Sequence, residues 1–179
     1  MNYVYNKNLA NCTPSKIREF NSLASKLNAK FKLTLGEPDF DTPIEIKDAL
    51  IEAVNQNHTR YAPTVGNKNL REEICKFEKR VNKVSYEPDE VLITTGSTEA
   101  LTAALFTLLN QDDEVIVPIP CYALYEPVIS YCGAKMIPLD TRPDFQISKG
   151  HLEALINNKT KAILLTSPNN PTGCLLYTS

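Results

Sequence analysis

Two asparagines in a proline-rich turn are well placed to hydrogen-bond a ligand. Asn169 and Asn170 lie in the segment TSPNNPTG at 166–173, directly after a short apolar run at 161–165. The run predicts a buried parallel strand, and the prolines and glycine predict an irregular turn at its carboxyl end. Ligands of open α/β sheets bind just outside the carboxyl ends of strands. The two amides could therefore hydrogen-bond a flat polar ligand there, whereas a single Asn-Pro turn would more simply be a loop.

A second candidate site is the segment TTGSTEA at 94–100, between a predicted strand and a predicted helix. Gly96 permits a tight turn, and the start of a helix presents unpaired N–H groups with partial positive charge. The hydroxyls of Ser97 and Thr98 would add donors for a phosphate. The segment matches neither the P-loop nor the dinucleotide GxGxxG pattern. Taken alone, it is better explained as a capped helix with no ligand.

Four other residues could contact a ligand. Tyr122 follows the strand exit at 118–121 and could stack on a planar ring. Arg60 and the Tyr61 hydroxyl could reach an anion, and Gly36 would allow close approach to the backbone. Each also has an ordinary structural explanation: a half-buried tyrosine, a surface turn and the end of a strand.

Periodicity and capping signals predict the elements that must position these residues. From residue 88 onward, strands and helices alternate, which predicts an α/β fold: a three-layer αβα domain with a mostly parallel sheet and right-handed crossovers. Residues 1–42 lack this alternation and are predicted to be an arm belonging to a smaller domain. Helices are predicted at 13–27, 43–53 with Thr42 as N-cap, 67–81, 98–109, 122–131 and 152–157, and strands at 31–35, 91–95, 114–117, 135–139 and 161–165.

Composition excludes several classes of protein. With 42% hydrophobic residues, the 179-residue chain can form a sizeable core. Nineteen basic and 21 acidic residues give a net charge of −2, without a basic stripe for nucleic acid or an anionic membrane. The amino terminus has no apolar leader segment, so cytoplasmic residence is expected. Five cysteines without CxxC spacing and two histidines argue against a disulfide framework or a metal site.

Five segments, taken together and in this order, resemble the amino-terminal half of the class I and II aminotransferases. These are pyridoxal-phosphate enzymes with the aspartate aminotransferase fold, called fold type I. The resemblance spans nearly the whole chain and implies that 43–173 form an incomplete cofactor-binding large domain. The matching segments are LGEPDFDTP at 35–43, RYAPTVGNKNLREEI at 60–74, ITTGSTEAL at 93–101, DDEVIVPIPCYALY at 112–125 and SPNNPTG at 167–173.

The resemblance implies pyridoxal 5'-phosphate as cofactor and assigns roles to individual residues. Gly96, Ser97 and Thr98 would bind its phosphate, Tyr122 would stack on the pyridine ring, and Asn170 would donate to the phenolic oxygen. These roles agree with the chemistry of the side chains: an anchor, a stacking face and an amide donor together fix a planar electron sink.

The resemblance also implies partners. Tyr61 would reach the phosphate bound by a second subunit, which implies a homodimer, and Gly36 would lie near the substrate α-carboxylate. The substrates would be an amino acid and a 2-oxo acid, which places the protein in amino acid metabolism. A lyase or decarboxylase on the same scaffold is the nearest alternative. An aminotransferase-like sensor domain and a phosphate-binding module without catalysis are further ones.

The catalytic residues of the family are expected elsewhere. Its Schiff-base lysine, the carboxylate on the pyridine nitrogen and the substrate-binding arginine all follow the SPNNPTG segment. No lysine present has the matching context, and Lys161 looks like a solvated strand end, so residues 1–179 alone are expected to be inactive. The last residues, CLLYTS at 174–179, are predicted to be a non-native tail, because TGT-CTC-TTA-TAC-ACA-TCT of a transposon end used in sequencing also encodes them. Genomic DNA lacking that stretch would refute this, and a short natural strand is the alternative.

Overall fold

The computed structural model describes residues 8, 16–27, 31, 33–34 and 36–176. It divides into two compact units, of which one is Lys16–Ser97 and the other contains the described residues from Thr98 onward. We call them the amino-terminal unit and the sheet unit and describe each by itself. The domain boundary after residue 42 stays a prediction.

The amino-terminal unit is helical. The α3 helix has an N-cap, because the Asn67 side chain accepts from the backbone N–H of Leu70 at 3.2 Å. The α2 helix has Pro43 as its N-cap and no side-chain capping bond, so the prediction of Thr42 as the cap was wrong by one residue. The reason is the extended backbone of Pro43, which keeps that residue outside the helix. The helices are α1 Lys16–Lys26, α2 Ile44–Asn55 and α3 Lys68–Val81, followed by a 3₁₀ turn Pro88–Glu90; residues 13–15 of the predicted first helix lie outside the described part.

The apolar faces of α2 and α3 are largely exposed. Leu50 of α2 is 66% exposed and Phe77 of α3 is 48% exposed. No residue of α2 is buried. The periodicity therefore identifies an apolar face correctly, but burial requires a second element to cover that face, and no described residue of the unit does so for α2.

The predicted strand at 91–95 is not a strand in this structure. None of its residues belongs to a strand, although Ile93 N donates to the Val65 carbonyl at 3.1 Å. A strand requires a ladder of such bonds. The described residues of the predicted strand at 31–35 are not in a strand either, and its residues 32 and 35 lie outside the described part.

Two buried residues hold this segment in place. Gly66 is buried with φ +95°, and any Cβ on it would collide with the Ile93 side chain. Arg71 of α3 is 8% exposed and donates from Nη1 to the Pro88 carbonyl at 2.6 Å. The helix α3 and the turn before it therefore fix the backbone that leads to Gly96.

The sheet unit is an alternating α/β arrangement, as predicted. Its three strands are all parallel, in the order β2-β1-β3, with an irregularity in the β1–β3 pairing at Glu114 and Val115. The predicted strands are confirmed to within two residues at each end. Helix α5 begins three residues later than predicted, because residues 121–124 form a turn. The elements are α4 Ser97–Leu108, β1 Glu114–Ile119, α5 Tyr125–Tyr131, β2 Lys135–Asp140, α6 Lys149–Leu155 and β3 Thr160–Ile163.

The core of the sheet unit lies between β1 and two helices. Alternate residues of a strand point to opposite faces, and Val115 and Val117 of β1 pack with residues of α4 and α5. Ile116, which lies between these two valines in the sequence, points to the opposite face of the sheet and is also fully buried. Burial on both faces is typical of a central parallel strand, and it fixes the carboxyl end of β1, where the candidate site lies. The other residues of this core include Leu105 of α4, Leu109 directly after that helix, and Val128 and Ile129 of α5.

Two other kinds of site are absent from the described part of the chain. None of its helices has the length and apolar character needed to cross a membrane. No group of three or more His, Cys, Asp or Glu side chains there could hold a metal ion.

Candidate functional site

The carboxyl edge of the sheet brings three loops together. All three strands are parallel, so the residues after Ile119, Asp140 and Ile163 leave the sheet at one edge. Buried Thr141, the first residue after β2, donates to the Ile119 carbonyl from its backbone N at 3.1 Å and from its hydroxyl at 2.8 Å. The exits of β1 and β2 are thereby bonded to one another.

Asn169 connects the loop after β3 to the loop after β1. Its Nδ2 donates to the Pro120 carbonyl at 3.0 Å and to the Thr172 hydroxyl at 2.8 Å. Its backbone carbonyl accepts from Gly173 N at 2.8 Å, and Gly173 has φ +70°, which favours glycine. The side-chain amide of Asn169 is thus engaged within the protein.

Asn170 has the opposite environment. It is exposed, and its side chain has no hydrogen-bond partner among the described residues. Of the two neighbouring side-chain NH2 groups, only that of Asn170 has no hydrogen-bond acceptor among the described residues. This agrees with the role implied by the sequence for Asn170, which stays a prediction.

Tyr122 lies on the loop after β1 and is 37% exposed. The ring meets that of Tyr125 edge to face, with centroids 5.6 Å apart and planes at 83°. Tyr125 is in turn bonded through its hydroxyl to the Thr166 hydroxyl at 2.7 Å. Beside Tyr122, burial raises the pKa of the Cys121 thiol and Glu126 raises it further, so this cysteine stays protonated at neutral pH.

The predicted phosphate turn has the backbone expected of it. Gly96 has φ +80°, and nothing lies within 4 Å of where a Cβ would be. Ser97 and Thr98 are exposed, and the twelve-residue helix α4 begins at Ser97. The first N–H groups of a helix have no partner inside it. The turn therefore offers donors to solvent, with open space in front of its glycine.

The seven predicted site residues fall in both units. Thr98, Tyr122 and Asn170 belong to the sheet unit, where the loops of the last two are bonded to one another. Tyr61 is fully exposed, and Gly36 is exposed with nothing within 4 Å of a Cβ position. These two lie in the amino-terminal unit together with Gly96 and Ser97.

A cavity of about 20 Å³ lies behind the exposed residues in the sheet unit. Its lining includes Tyr125, Thr166 and Asn169. This volume has room for about one water molecule. A larger ligand must bind outside the cavity, against the exposed side of the loops.

Sequence reasoning missed the roles of Asn169, Tyr125 and Thr166. The only local signal was their position within four residues of Asn170 or Tyr122. Their partners are 41 and 49 residues away in the chain, which no local pattern reveals.

Comparisons with known proteins agree on one family. A family model described as "Aminotransferase class I and II" matches residues 28–178. The probable N-acetyl-LL-diaminopimelate aminotransferase of Bacillus subtilis (strain 168) is 36% identical over 178 residues, which are 98% of this chain and 45% of that protein. An aspartate aminotransferase of Geobacillus stearothermophilus is 37% identical over 179 residues, 97% of this chain and 45% of that protein.

Solved structures show the same likeness. The aspartate aminotransferase from Thermus thermophilus with maleate superposes with a TM-score of 0.92 at 32% identity, covering 98% of this chain and 47% of that one. The N-succinyldiaminopimelate aminotransferase from Mycobacterium tuberculosis gives 0.91 at 31% identity, covering 97% and 46%. These values confirm the predicted fold class. The chain spans about 45% of the length of the curated relatives it matches.

Proposed function

This chain belongs to the family of class I and II aminotransferases, and from that premise we propose that the protein transfers an amino group between an amino acid and a 2-oxo acid. Pyridoxal 5'-phosphate is the proposed cofactor. The observation that carries the proposal is the pair of bonded loops at the carboxyl edge of the sheet. They present the ring of Tyr122 and the unpaired amide of Asn170 to solvent.

The described residues of these loops fit such a cofactor. A planar pyridine ring needs an aromatic face, and the exposed ring of Tyr122 provides one. Its phenolic oxygen needs a donor, and the Asn170 amide has no other partner among the described residues. When bound, the cofactor acts as an electron sink that stabilises negative charge on the substrate α-carbon.

Each side chain then has a defined task. The Tyr122 and Tyr125 rings are nearly perpendicular, at 83°, so Tyr125 leaves at least one face of the Tyr122 ring uncovered for stacking. The Asn170 Nδ2 donates a hydrogen bond that favours the anionic form of the phenolic oxygen, because bonds to charged acceptors are the stronger ones. Together they would orient the ring and hold a proton away from that oxygen.

The phosphate is assigned to the turn before α4. The backbone N–H of Ser97 and the hydroxyls of Ser97 and Thr98 are the proposed donors, because the Gly96 N–H already donates to the Thr94 carbonyl at 2.8 Å. The open space in front of Gly96 supports this, because a phosphate must approach the backbone closely.

A second copy of the chain is the proposed partner. The Tyr61 side chain is fully exposed and thus available to a neighbouring subunit, where it would bind the phosphate of the partner's cofactor. Gly36 is proposed to lie near the substrate carboxylate. Cytoplasmic residence and a role in amino acid metabolism stay predictions from the sequence.

We also infer that residues 1–179 do not transaminate by themselves. None of their lysines has the sequence context of the family's cofactor-binding lysine. Activity measurements should therefore use the protein encoded by the complete reading frame that contains this chain.

The experiment is a transamination assay with that protein. It is supplied with pyridoxal 5'-phosphate, a panel of amino acids and a 2-oxo acid, and the products are identified by mass spectrometry. The relatives act by name on aspartate and on diaminopimelate derivatives, so the panel includes these and aromatic donors. A new amino acid formed only with the cofactor supports the proposal. Release of carbon dioxide or ammonia without one would instead show a lyase, and absence of cofactor binding would refute the proposal.

Matched variants test the two side chains. Tyr122→Ala should weaken cofactor binding, whereas Tyr131→Ala should not, because Tyr131 is similarly exposed at 43% but lies at the far end of α5. Asn170→Ala should reduce turnover, with Asn158→Ala as its control on the loop before β3. Equal behaviour of a variant and its control would contradict the role assigned to that side chain.

A further inference from the structure

We propose that Tyr125, Thr166 and Asn169 form a cross-loop clamp that positions Tyr122 and Asn170 for the cofactor. This inference rests on the proposed function and names positioning residues for the same site. It is carried by two hydrogen bonds that connect the loop after β1 with the loop after β3.

The first half of the clamp sets the ring of Tyr122. Tyr125 contacts that ring edge to face at 5.6 Å, and its own hydroxyl is bonded to the Thr166 hydroxyl at 2.7 Å. Thr166 is the third residue after the end of β3. The bond to Thr166 therefore holds the Tyr125 ring in one orientation relative to the loop after β3. Because the Tyr122 ring packs perpendicular to the Tyr125 ring, its orientation is restricted as well.

The second half of the clamp sets the position of Asn170. Asn169 donates to the carbonyl of Pro120, two residues before Tyr122, at 3.0 Å. It also donates to Thr172 on its other side at 2.8 Å. Each end of this bond thus lies within two residues of a ligand-facing side chain, so the bond ties together the two loop segments that carry the ring and the amide.

The clamp residues differ in environment from the residues that are proposed to contact the cofactor. All three are half-buried and engaged by protein partners, whereas Tyr122 and Asn170 are exposed. The cavity that the clamp residues line measures about 20 Å³, which is too small for a pyridine ring. They form a supporting layer behind the residues that face the ligand, and such layers are what hold a site to its working geometry.

The test uses Tyr125→Phe and Thr166→Val in the protein from the complete reading frame. Both changes keep the shape of the side chain and remove one hydroxyl of the same bond. The readouts are the dissociation constant for pyridoxal 5'-phosphate by equilibrium dialysis and the visible circular dichroism of the bound cofactor. We expect binding about 3- to 10-fold weaker, as the loss of one hydrogen bond implies, together with an altered dichroic band.

Three further variants complete the design. The double variant should bind no more weakly than either single variant, because both remove the same interaction. Thr166→Ser should restore wild-type affinity and spectrum, because it returns the hydroxyl. Tyr131→Phe is the matched control, a tyrosine at the other end of the same helix.

The outcomes are distinguishable. If the wild-type protein binds the cofactor and both single variants match it in affinity and dichroism, the clamp is wrong and the proposed function stands. A loss of affinity with an unchanged dichroic band, parallel to a lower urea midpoint of the cofactor-free protein, would show a merely structural role and would also overturn the clamp. A wild-type protein that does not bind the cofactor overturns the proposed function and the clamp with it.

Discussion

Replacing Gly66 by alanine should destabilise the protein more than replacing any open glycine. Gly66 is buried, its φ is +95°, and a Cβ at this position would collide with Cγ1 and Cβ of Ile93. The neighbouring Val65 carbonyl accepts from Ile93 N at 3.1 Å. The new methyl group would therefore push apart the two segments that this bond joins.

The magnitude follows from two terms. A side chain at this left-handed φ costs about 1–2 kcal/mol. Forcing a methyl group into a filled space costs a further ~1–3 kcal/mol. Rotation about χ1 of Ile93 relieves the contact with Cγ1 but leaves its Cβ where the backbone holds it, so the upper part of the range applies. The expected total is about 3–5 kcal/mol, a large share of an ordinary folding free energy.

The assay is urea unfolding of the cofactor-free complete protein, followed by circular dichroism. A loss of about 3 kcal/mol lowers the midpoint by about 1 M or more. Gly96→Ala is the first control, because it has φ +80° but open space around the Cβ position and so carries only the backbone cost. Gly36→Ala is the second, with open space and no positive φ. Equal midpoints for the Gly66 and Gly96 variants would refute the steric argument.

Two other predictions concern charged side chains. The Arg142 guanidinium, bonded to the Asp140 carboxylate, lowers the pKa of Asp140 from 3.8 to about 2; Arg142→Gln should return it towards 3.8 in an NMR titration, and an unchanged value would contradict the pairing. Because this pKa is lowered by folding, the pair stabilises the protein above pH about 4 and loses that effect as the pH falls towards 2. Arg71→Met should cost about 1–3 kcal/mol in urea unfolding, because it leaves the Pro88 carbonyl without its 2.6 Å donor. Asp89→Asn should change stability by less than about 1 kcal/mol, because the Asp89 side chain is fully exposed; a large effect there would mean that the ion pair, and not the carbonyl bond, matters.

The fold of the sheet unit was predictable from local patterns. Each strand is a short apolar run, and β1 is buried on both faces, so its composition alone distinguishes it from a surface strand. The segment at 91–95 begins with a similar apolar run, yet none of its residues belongs to a strand. Strand formation depends on a neighbour, and composition does not show whether one is present.

Burial of the helices was less predictable. The spacing of apolar residues in α2 and α3 correctly identifies one face, yet Leu50 and Phe77 are exposed. The periodicity of apolar residues is a property of one helix, whereas burial of its apolar face requires a second element that packs against it.

The residue types that could hold a phosphorylated ring were evident from the sequence alone, as were the family and the parallel α/β arrangement, because these follow from short motifs and local periodicity. Only the tertiary structure distinguished Asn169 from Asn170 and revealed that Tyr125 supports Tyr122. Those distinctions depend on hydrogen bonds between loops 41 and 49 residues apart. Parallel strands bring these loops to one edge only when the sheet assembles. The hydrogen bonds between the loops therefore cannot be predicted from local sequence patterns.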